Sequence, residues 1–209
     1  MSGFFITLEG IEGVGKTTQM QLLADNLRNC NSYDPLTTHE PGATVIGDKI
    51  RRLLLDPEQR KMSPRSEIFL FAADRAQHVE EIIKPALNSG RIVISDRYYD
   101  SNFAYQGYGR RLDMELVQKI NYWAVDDCHP DLTILLDLPP AKGLKRASSL
   151  SPDKEGDRLE REELSFYKRV RAGYLRLARK FDRFVIVDAD QEKEAIQQRI
   201  IKIVKERLP

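Results

Sequence analysis

Five short apolar runs punctuate the chain, and the stretches between them return an apolar residue every three or four positions. "FFITLE" (4–9) reads as a buried strand, and behind it Met20, Leu23, Ala24 and Leu27 recur at helical spacing. "PLTTHE" (35–40) is a weaker strand, and "VIGDKIRRLLL" (45–55) reads as a helix ended by Asp56-Pro57. Ser63 as N-cap and Pro64 at the first helical position predict a long helix running to about residue 88, with a kink at Pro85. "RIVISD" (91–96) follows Gly90, "LTILLDL" (132–138) stops at Pro139-Pro140, and "RFVIVDA" (183–189) is the last strand. The final helix sets Ile196, Ile200, Ile203 and Val204 on one face. Continuously apolar strands separated by helices predict an α/β fold in three layers, a five-stranded parallel sheet flanked by helices on both faces.

One segment breaks this alternation. "SSLSPDKEGD" (148–157) carries Pro, Gly, acids and few apolar anchors, so it buries little and is expected to be mobile. It falls between two helices, which makes it a candidate lid. There is no internal repeat, and 209 residues suit one domain, so 1–209 is read as a single unit carrying that lid.

Composition narrows the function classes. Charged residues make up 31% and hydrophobic ones 41%, as in an ordinary soluble globular protein. Lys plus Arg (33) nearly balances Asp plus Glu (32), so no global electrostatic footprint for a nucleic-acid polymer exists, and anion binding must come from local arginines. Cys30 and Cys128 fit no metal or CxxC spacing and suit a reducing compartment. His39, His78 and His129 lie far apart without ligand-like pairing. "MSGFFITLEG" lacks the pattern of a signal peptide, and no apolar run approaches the roughly 18 residues that span a bilayer, so the cytoplasm is the expected location, with no membrane partner.

The chemistry starts at "LEGIEGVGKTT" (8–18), where Gly10, Gly15, Lys16 and Thr17 satisfy G-x-x-x-x-G-K-[ST] between a strand and a helix. Main-chain N–H groups from 12 to 17 are expected to surround a β-phosphate, with Lys16 spanning the β- and γ-phosphates and Thr17 placing its hydroxyl on Mg²⁺. Ile11, Glu12, Gly13, Val14 and Thr18 complete the loop, and the carboxylate of Glu12 is an odd group to find in an anion cradle. Asp96 ends a buried strand, where it can reach the metal shell through water or simply cap a helix. Arg97 beside it needs an anion if buried, and a second phosphate is the natural one. Phe71 and Arg75 share a helix face, which suits stacking on a base and donating to its edge; the ordinary alternative puts Phe71 in the core and Arg75 at the surface. If 100–106 is helical, Asn102, Tyr105 and Gln106 share a face too, offering the donors and acceptors that a pyrimidine edge requires.

The motifs "LEGIEGVGKTT", "HEPGAT", "KIRRLLL", "LFAADRAQ", "SDRYYDSNFAYQG", "PDLTILLDLPP" and "DRLE", in this order, resemble the bacterial thymidylate kinases over nearly the whole chain. The resemblance implies a three-layer P-loop NTPase fold, ATP as phosphoryl donor, Mg²⁺, dTMP as acceptor and a homodimer. It implies that Phe71 stacks on thymine, that Arg75, Asn102 and Gln106 address the nucleoside, and that Tyr105 crowds the 2′ position. It also implies that Arg51 and Arg97 hold the acceptor phosphate, that Arg146 packs by the donor adenine, and that Arg158 closes over the phosphates. Glu12 is expected to reach the acceptor 3′-hydroxyl and metal-bound water. Two positions depart from the family pattern. The lid has no arginine and only Lys154 as a cation, a point charge without the guanidinium fork. His39 stands where an arginine is common.

Rival readings remain at this level. A deoxynucleoside kinase would need a base, for which Glu40 could serve, and another monophosphate kinase would differ only in acceptor. A nucleotide switch is poorly supported, because "DKEG" (153–156) follows no strand and no N-K-x-D follows 132–138. A P-loop module that binds without turnover is the other non-enzyme reading.

Overall fold

The computed structural model describes residues 3–29, 33–150 and 156–208. Strands β1 (Phe4–Glu9), β2 (Pro35–His39), β3 (Ile92–Asp96), β4 (Leu132–Asp137) and β5 (Phe184–Asp188) form one parallel sheet in the order β2-β3-β1-β4-β5. All five apolar runs are therefore strands, within a residue or two of the expected ends.

The pleat explains the layers. Ile6 and Leu8 of β1 and Ile94 of β3 point into a cluster with Met20, Leu23 and Leu27 of helix α1 (Lys16–Asn29). Phe5 and Val93, one residue out of phase, enter a second cluster with Val79, Ile83 and Ala86. Alternate side chains thus feed two cores on opposite faces of the sheet, as a parallel sheet covered on both sides requires. Ile196, Ile200, Ile203 and Val204 are buried as expected, on the last helix.

Thr44 caps α2 (Val45–Leu55) by accepting from the Gly47 N–H, and Ser63 caps α3 (Pro64–His78) by accepting from Ser66. The long helix does reach Asn88, but its irregularity precedes Pro85. Residues Val79–Ile83 form a π-helical turn between α3 and α4 (Lys84–Asn88), and the Lys84 N–H bonds back to Val79. Proline has no N–H to return and its ring crowds the preceding turn; widening that turn accommodates both effects. A second π-helical turn, Phe103–Gly109, extends α5 (Tyr99–Asn102). The remaining helices are α6 (Met114–Val125), α7 (Pro140–Leu150), α8 (Leu164–Lys180) and α9 (Lys193–Arg207). The proposed lid runs from the end of α7 to Asp157, and its residues 151–155 lie outside the described residues.

Candidate active site

A cleft of about 670 Å³ opens where β1, β2 and β3 end, bounded by residues that follow each strand. Ligands in open α/β sheets bind beyond the carboxyl ends of the strands.

Its first half is the loop between β1 and α1. Gly15 has φ +92, and a Cβ there would meet nothing within 4 Å, so the loop is open on the side where a phosphate would sit. Gly13, at φ +72, lies so close to α7 that a Cβ would overlap the Gly143 carbonyl. Ile11 and Val14 bury their side chains in the core, leaving main chain at the cleft. Gly10 passes its carbonyl to Arg97 Nη1 at 2.9 Å. The first turn of α1 leaves its N–H groups without helical partners, and the helix dipole adds to their pull on an anion. Thr18 lines the cleft beside Thr17. Lys16 Nζ donates to the Ile11 carbonyl at 2.8 Å. Burial, and then the charge of Arg97, push its amine down to about 8. Two cations that repel each other across a buried space favour a polyanion between them.

Thr17 Oγ1 donates to Asp96 Oδ2 at 2.6 Å. A hydroxyl and a carboxylate, side by side at the phosphate end, are hard oxygen donors with positions left for water and phosphate; this fits Mg²⁺ and not a soft metal.

The second half is made of side chains. Arg97 adopts φ 72, in the left-handed region that an arginine avoids. The Arg97 N–H bonds to Leu8 O at 3.0 Å, Ser95 Oγ bonds to the Arg97 carbonyl at 2.7 Å, and the Tyr98 N–H bonds to Glu9 Oε1 at 2.8 Å. These bonds hold the strained residue so that its guanidinium returns to the loop. Nη2 donates to Glu12 Oε1 at 2.9 Å, while Tyr105 OH lies 2.9 and 2.8 Å from the two Glu12 oxygens. Glu12 therefore faces inward, paired with the arginine expected to hold the acceptor phosphate. Beneath them, Glu9 accepts from Ser101 and Tyr174, and burial together with Asp100 raises its carboxyl to about 7.

On α3 the ordinary expectation is inverted. Phe71 lines the cleft half-buried, and Arg75 is only 1% exposed, among the largest fully buried side chains. Arg75 Nε donates to Glu40 Oε2 at 2.8 Å, Nη1 to Asn121 at 3.2 Å and Nη2 to Asn102 at 3.4 Å. Asn102, Tyr105 and Gln106 do converge on the cleft. Gln106 Nε2 donates to Glu67 Oε1 at 2.9 Å, so part of its amide is already committed. Arg51 lines the opposite wall and donates to the Pro41 carbonyl at 2.8 Å. His39 is beside it, and burial plus Arg51 lower its pKa, so at neutral pH it adds no charge where an arginine would.

Arg75 itself lies behind the cleft lining, and three further expected residues stand apart. Arg158 pairs with Glu67 at 2.6 Å and donates to the Leu54 carbonyl at 2.9 Å, so it braces the segment after the lid against α3 and does not line the cleft. Arg146, on α7, donates to the Ala189 carbonyl at 2.8 Å and does not line the cleft, although the adjacent Ala147 does. Lys154 lies outside the described residues.

Sequence reasoning missed Glu9, Glu67, His78, Asn121 and Tyr174, all buried and all hydrogen-bonded to site residues or their neighbours. A signal existed on α3, where Glu67, Asp74, Arg75 and His78 recur at helical spacing and form a buried polar stripe.

A parallel five-stranded sheet with this loop leading into α1 defines a P-loop NTPase fold, and the guanidinium-walled second half suits a nucleotide kinase. A family profile described as thymidylate kinase matches residues 8–200, and the chain belongs to that family. Similar proteins include the thymidylate kinase of Halothermothrix orenii, 53% identical over 98% of both chains. That of an Exiguobacterium species is 46% identical over 100% of this chain and 97% of its own. That of Lactobacillus acidophilus is 43% identical over the same shares.

Proposed function

We propose that the protein transfers the γ-phosphoryl group of ATP to dTMP, releasing ADP and dTDP, in the supply of dTTP. The observation that carries this reading is Arg97, a half-buried guanidinium held beside the phosphate loop and already holding a carboxylate, Glu12. An acceptor phosphate would take that place.

The acceptor oxygen belongs to a phosphomonoester with a second pKa of about 6, mostly dianionic at neutral pH. No general base is needed, and Glu40 is unsuited to be one because Arg75 and His78 occupy its two oxygens. That disfavours a deoxynucleoside kinase. What remains is to align two anions and offset their repulsion. The loop amides and Lys16 hold the donor, and Arg97 and Arg51 hold the acceptor phosphate. Phe71 stacks on thymine, Arg75, Asn102 and Gln106 face its edge, and Tyr105 excludes a 2′-hydroxyl. Mg²⁺, held by Thr17 and through water by Asp96 and Glu12, would neutralise charge on the transferring phosphates. Arg146 packs by adenine. The segment about 148–157 acts as a lid on a single domain, with Lys154 as its cation and Arg158 at its base.

We also infer a homodimer. α2 and α6 both pack on α3, and Val45, Ile46, Leu53, Phe69, Tyr122 and Trp123 on these helices are exposed, Trp123 by 80%. No described helix is long and apolar enough to cross a membrane. A cytoplasmic enzyme acting on small molecules fits these features.

The test is ADP release coupled to a reporter, with ATP, Mg²⁺ and either dTMP, thymidine or no acceptor. Release that depends on dTMP supports the reading. Release with thymidine alone would make it a nucleoside kinase, and none with either would leave a binding module.

A further inference from the structure

From Asn102 in the cleft wall a chain of buried polar contacts runs back through Arg75 to Glu40, His78 and Thr38, and the last three have no part in the chemistry above. Thr38 Oγ1 and His78 Nε2 are 2.6 Å apart, and His78 Nδ1 and Glu40 Oε1 are 2.9 Å apart. Glu40 Oε2 then receives Arg75 Nε at 2.8 Å, and Arg75 Nη2 reaches Asn102 Oδ1. His78 is 0% and Arg75 1% exposed. A hydroxyl, an imidazole and a carboxylate in this order resemble a nucleophile with its base, but Thr38 lines no part of the cleft, so no substrate meets it.

The contacts are directional. An ionised carboxylate only accepts, so Nδ1 of His78 carries the proton and Nε2 faces Thr38. Glu40 then holds Arg75 by Nε, and three of the five guanidinium N–H groups are committed: one each to Glu40, Asn121 and Asn102. Arg75 also sets the sense of the Asn102 amide. Oδ1 faces Arg75 while Nδ2 donates to Asn121 Oδ1 at 2.9 Å, and Asn121 in turn donates to the Tyr99 carbonyl. Arg75 additionally stacks on Tyr98, 5.5 Å from the ring centroid. With its neighbours fixed, Arg75 holds the amide of Asn102, which does line the cleft, in one sense toward whatever base lies on Phe71.

We propose that Glu40 and His78 are positioning residues for acceptor-base recognition, acting through Arg75 and Asn102, in a relay Thr38–His78–Glu40–Arg75–Asn102. The inference rests on the proposed dTMP kinase reading and deepens it by naming what fixes the base-reading groups. Removing the Glu40 charge leaves Arg75 buried and free to turn, so the pattern blurs while the donor loop stays intact.

The experiment measures steady-state kinetics of the full chain with both substrates varied, for Glu40→Gln, His78→Gln and Thr38→Val. The expected result is a KM for dTMP raised ~10- to 100-fold in Glu40→Gln, with a smaller rise in His78→Gln and the smallest in Thr38→Val. The KM for ATP should stay within ~2-fold, and the preference for dTMP over dCMP should narrow, because cytosine reverses donor and acceptor at N3 and at the 4 position. In an Arg75→Ala background, Glu40→Gln should add nothing to the dTMP KM. If Glu40→Gln does not fold, His78→Gln and Thr38→Val carry the test, because each leaves the Glu40–Arg75 pair in place. An unchanged dTMP KM and base preference in the folded variants overturns the inference, as does an equal rise in both substrates' KM, which marks a general loss of structure. Failure of the parent chain to use dTMP would instead sink the substrate assignment, independently of the variants.

Discussion

The two halves of the cleft are built on opposite principles. The proposed donor side is one contiguous loop whose candidate binding groups are main-chain amides, fixed by glycine torsions and the start of α1. The proposed acceptor side is assembled from α2, α3, β3 and α5, and its candidate groups are guanidiniums and amides, several braced by carboxylates: half-buried Glu12 for Arg97, buried Glu40 for Arg75 and Glu67 for Gln106. A backbone cradle holds any nucleotide's phosphates, because every sequence of this form supplies the same N–H groups. Side chains held by partners discriminate, because moving one alters the pattern. The comparison predicts that acceptor-side changes should alter use of dTMP while sparing ATP.

The largest expected effect comes from Arg97. Replacing it with Ala should lower the rate on dTMP by at least ~100-fold and leave ATP binding nearly intact, as read by kcat/KM alongside a direct ATP titration. Equal losses for both ligands would merge the two halves into one site. Next, Phe71→Ala should raise the dTMP KM by about 10-fold or more, since stacking on a base contributes about 1–3 kcal/mol. A KM within error of the parent would remove Phe71 from the acceptor pocket.

Tyr105 sharpens the comparison, because it carries both bulk and a hydroxyl bonded to Glu12. Tyr105→Ala should relax rejection of ribonucleotides by ~10-fold, whereas Tyr105→Phe should retain it, with the ratio of dTMP to ribothymidine monophosphate turnover as the readout. Loss of discrimination in both variants would assign selectivity to the hydroxyl.

The last effect is on stability and leaves catalysis aside. Asp74 is buried 1% exposed; Oδ1 accepts from the Gly42 N–H, and Oδ2 has no partner among the described residues. Burial, and then Glu40, raise its carboxyl from the ordinary 3.8 to about 6. The folded chain therefore retains a proton that the unfolded chain has released between those values. Stability falls as pH rises through that window and stays lower above it. Asp74→Asn removes the charge and should stabilise the protein above pH 6 by at most about 3 kcal/mol, the equivalent of that shift, with the gain shrinking toward pH 4. Melting temperatures of the two proteins at pH 5 and pH 8 give the check, and a gain that is the same at both would contradict the assignment.

The inner strands β1, β3 and β4 were legible because they are buried on both faces and so appear as unbroken apolar runs, the partly exposed edge strands β2 and β5 less so, and the phosphate loop was legible because it is contiguous. The acceptor side was legible only in part. Phe71, Asn102, Tyr105 and Gln106 could be placed from helical spacing. The inward burial of Arg75 could not, because amphipathic reasoning assigns charge to solvent, whereas α3 turns Glu67, Asp74, Arg75 and His78 inward and exposes Phe69. Partners such as Glu9 and Tyr174, 165 positions apart, meet only through the fold. Arg158 shows the converse: its place in "DRLE" suggested the phosphates, and its guanidinium instead pairs with Glu67.

The central claim is that the acceptor monophosphate occupies the side-chain half of the cleft. A crystal soaked with dTMP tests it most directly. The account predicts density with the phosphate on Arg97 and Arg51 and the thymine lying against Phe71 toward Asn102. Density on the main-chain loop around Lys16 instead, or an empty hollow at saturating ligand, would contradict it.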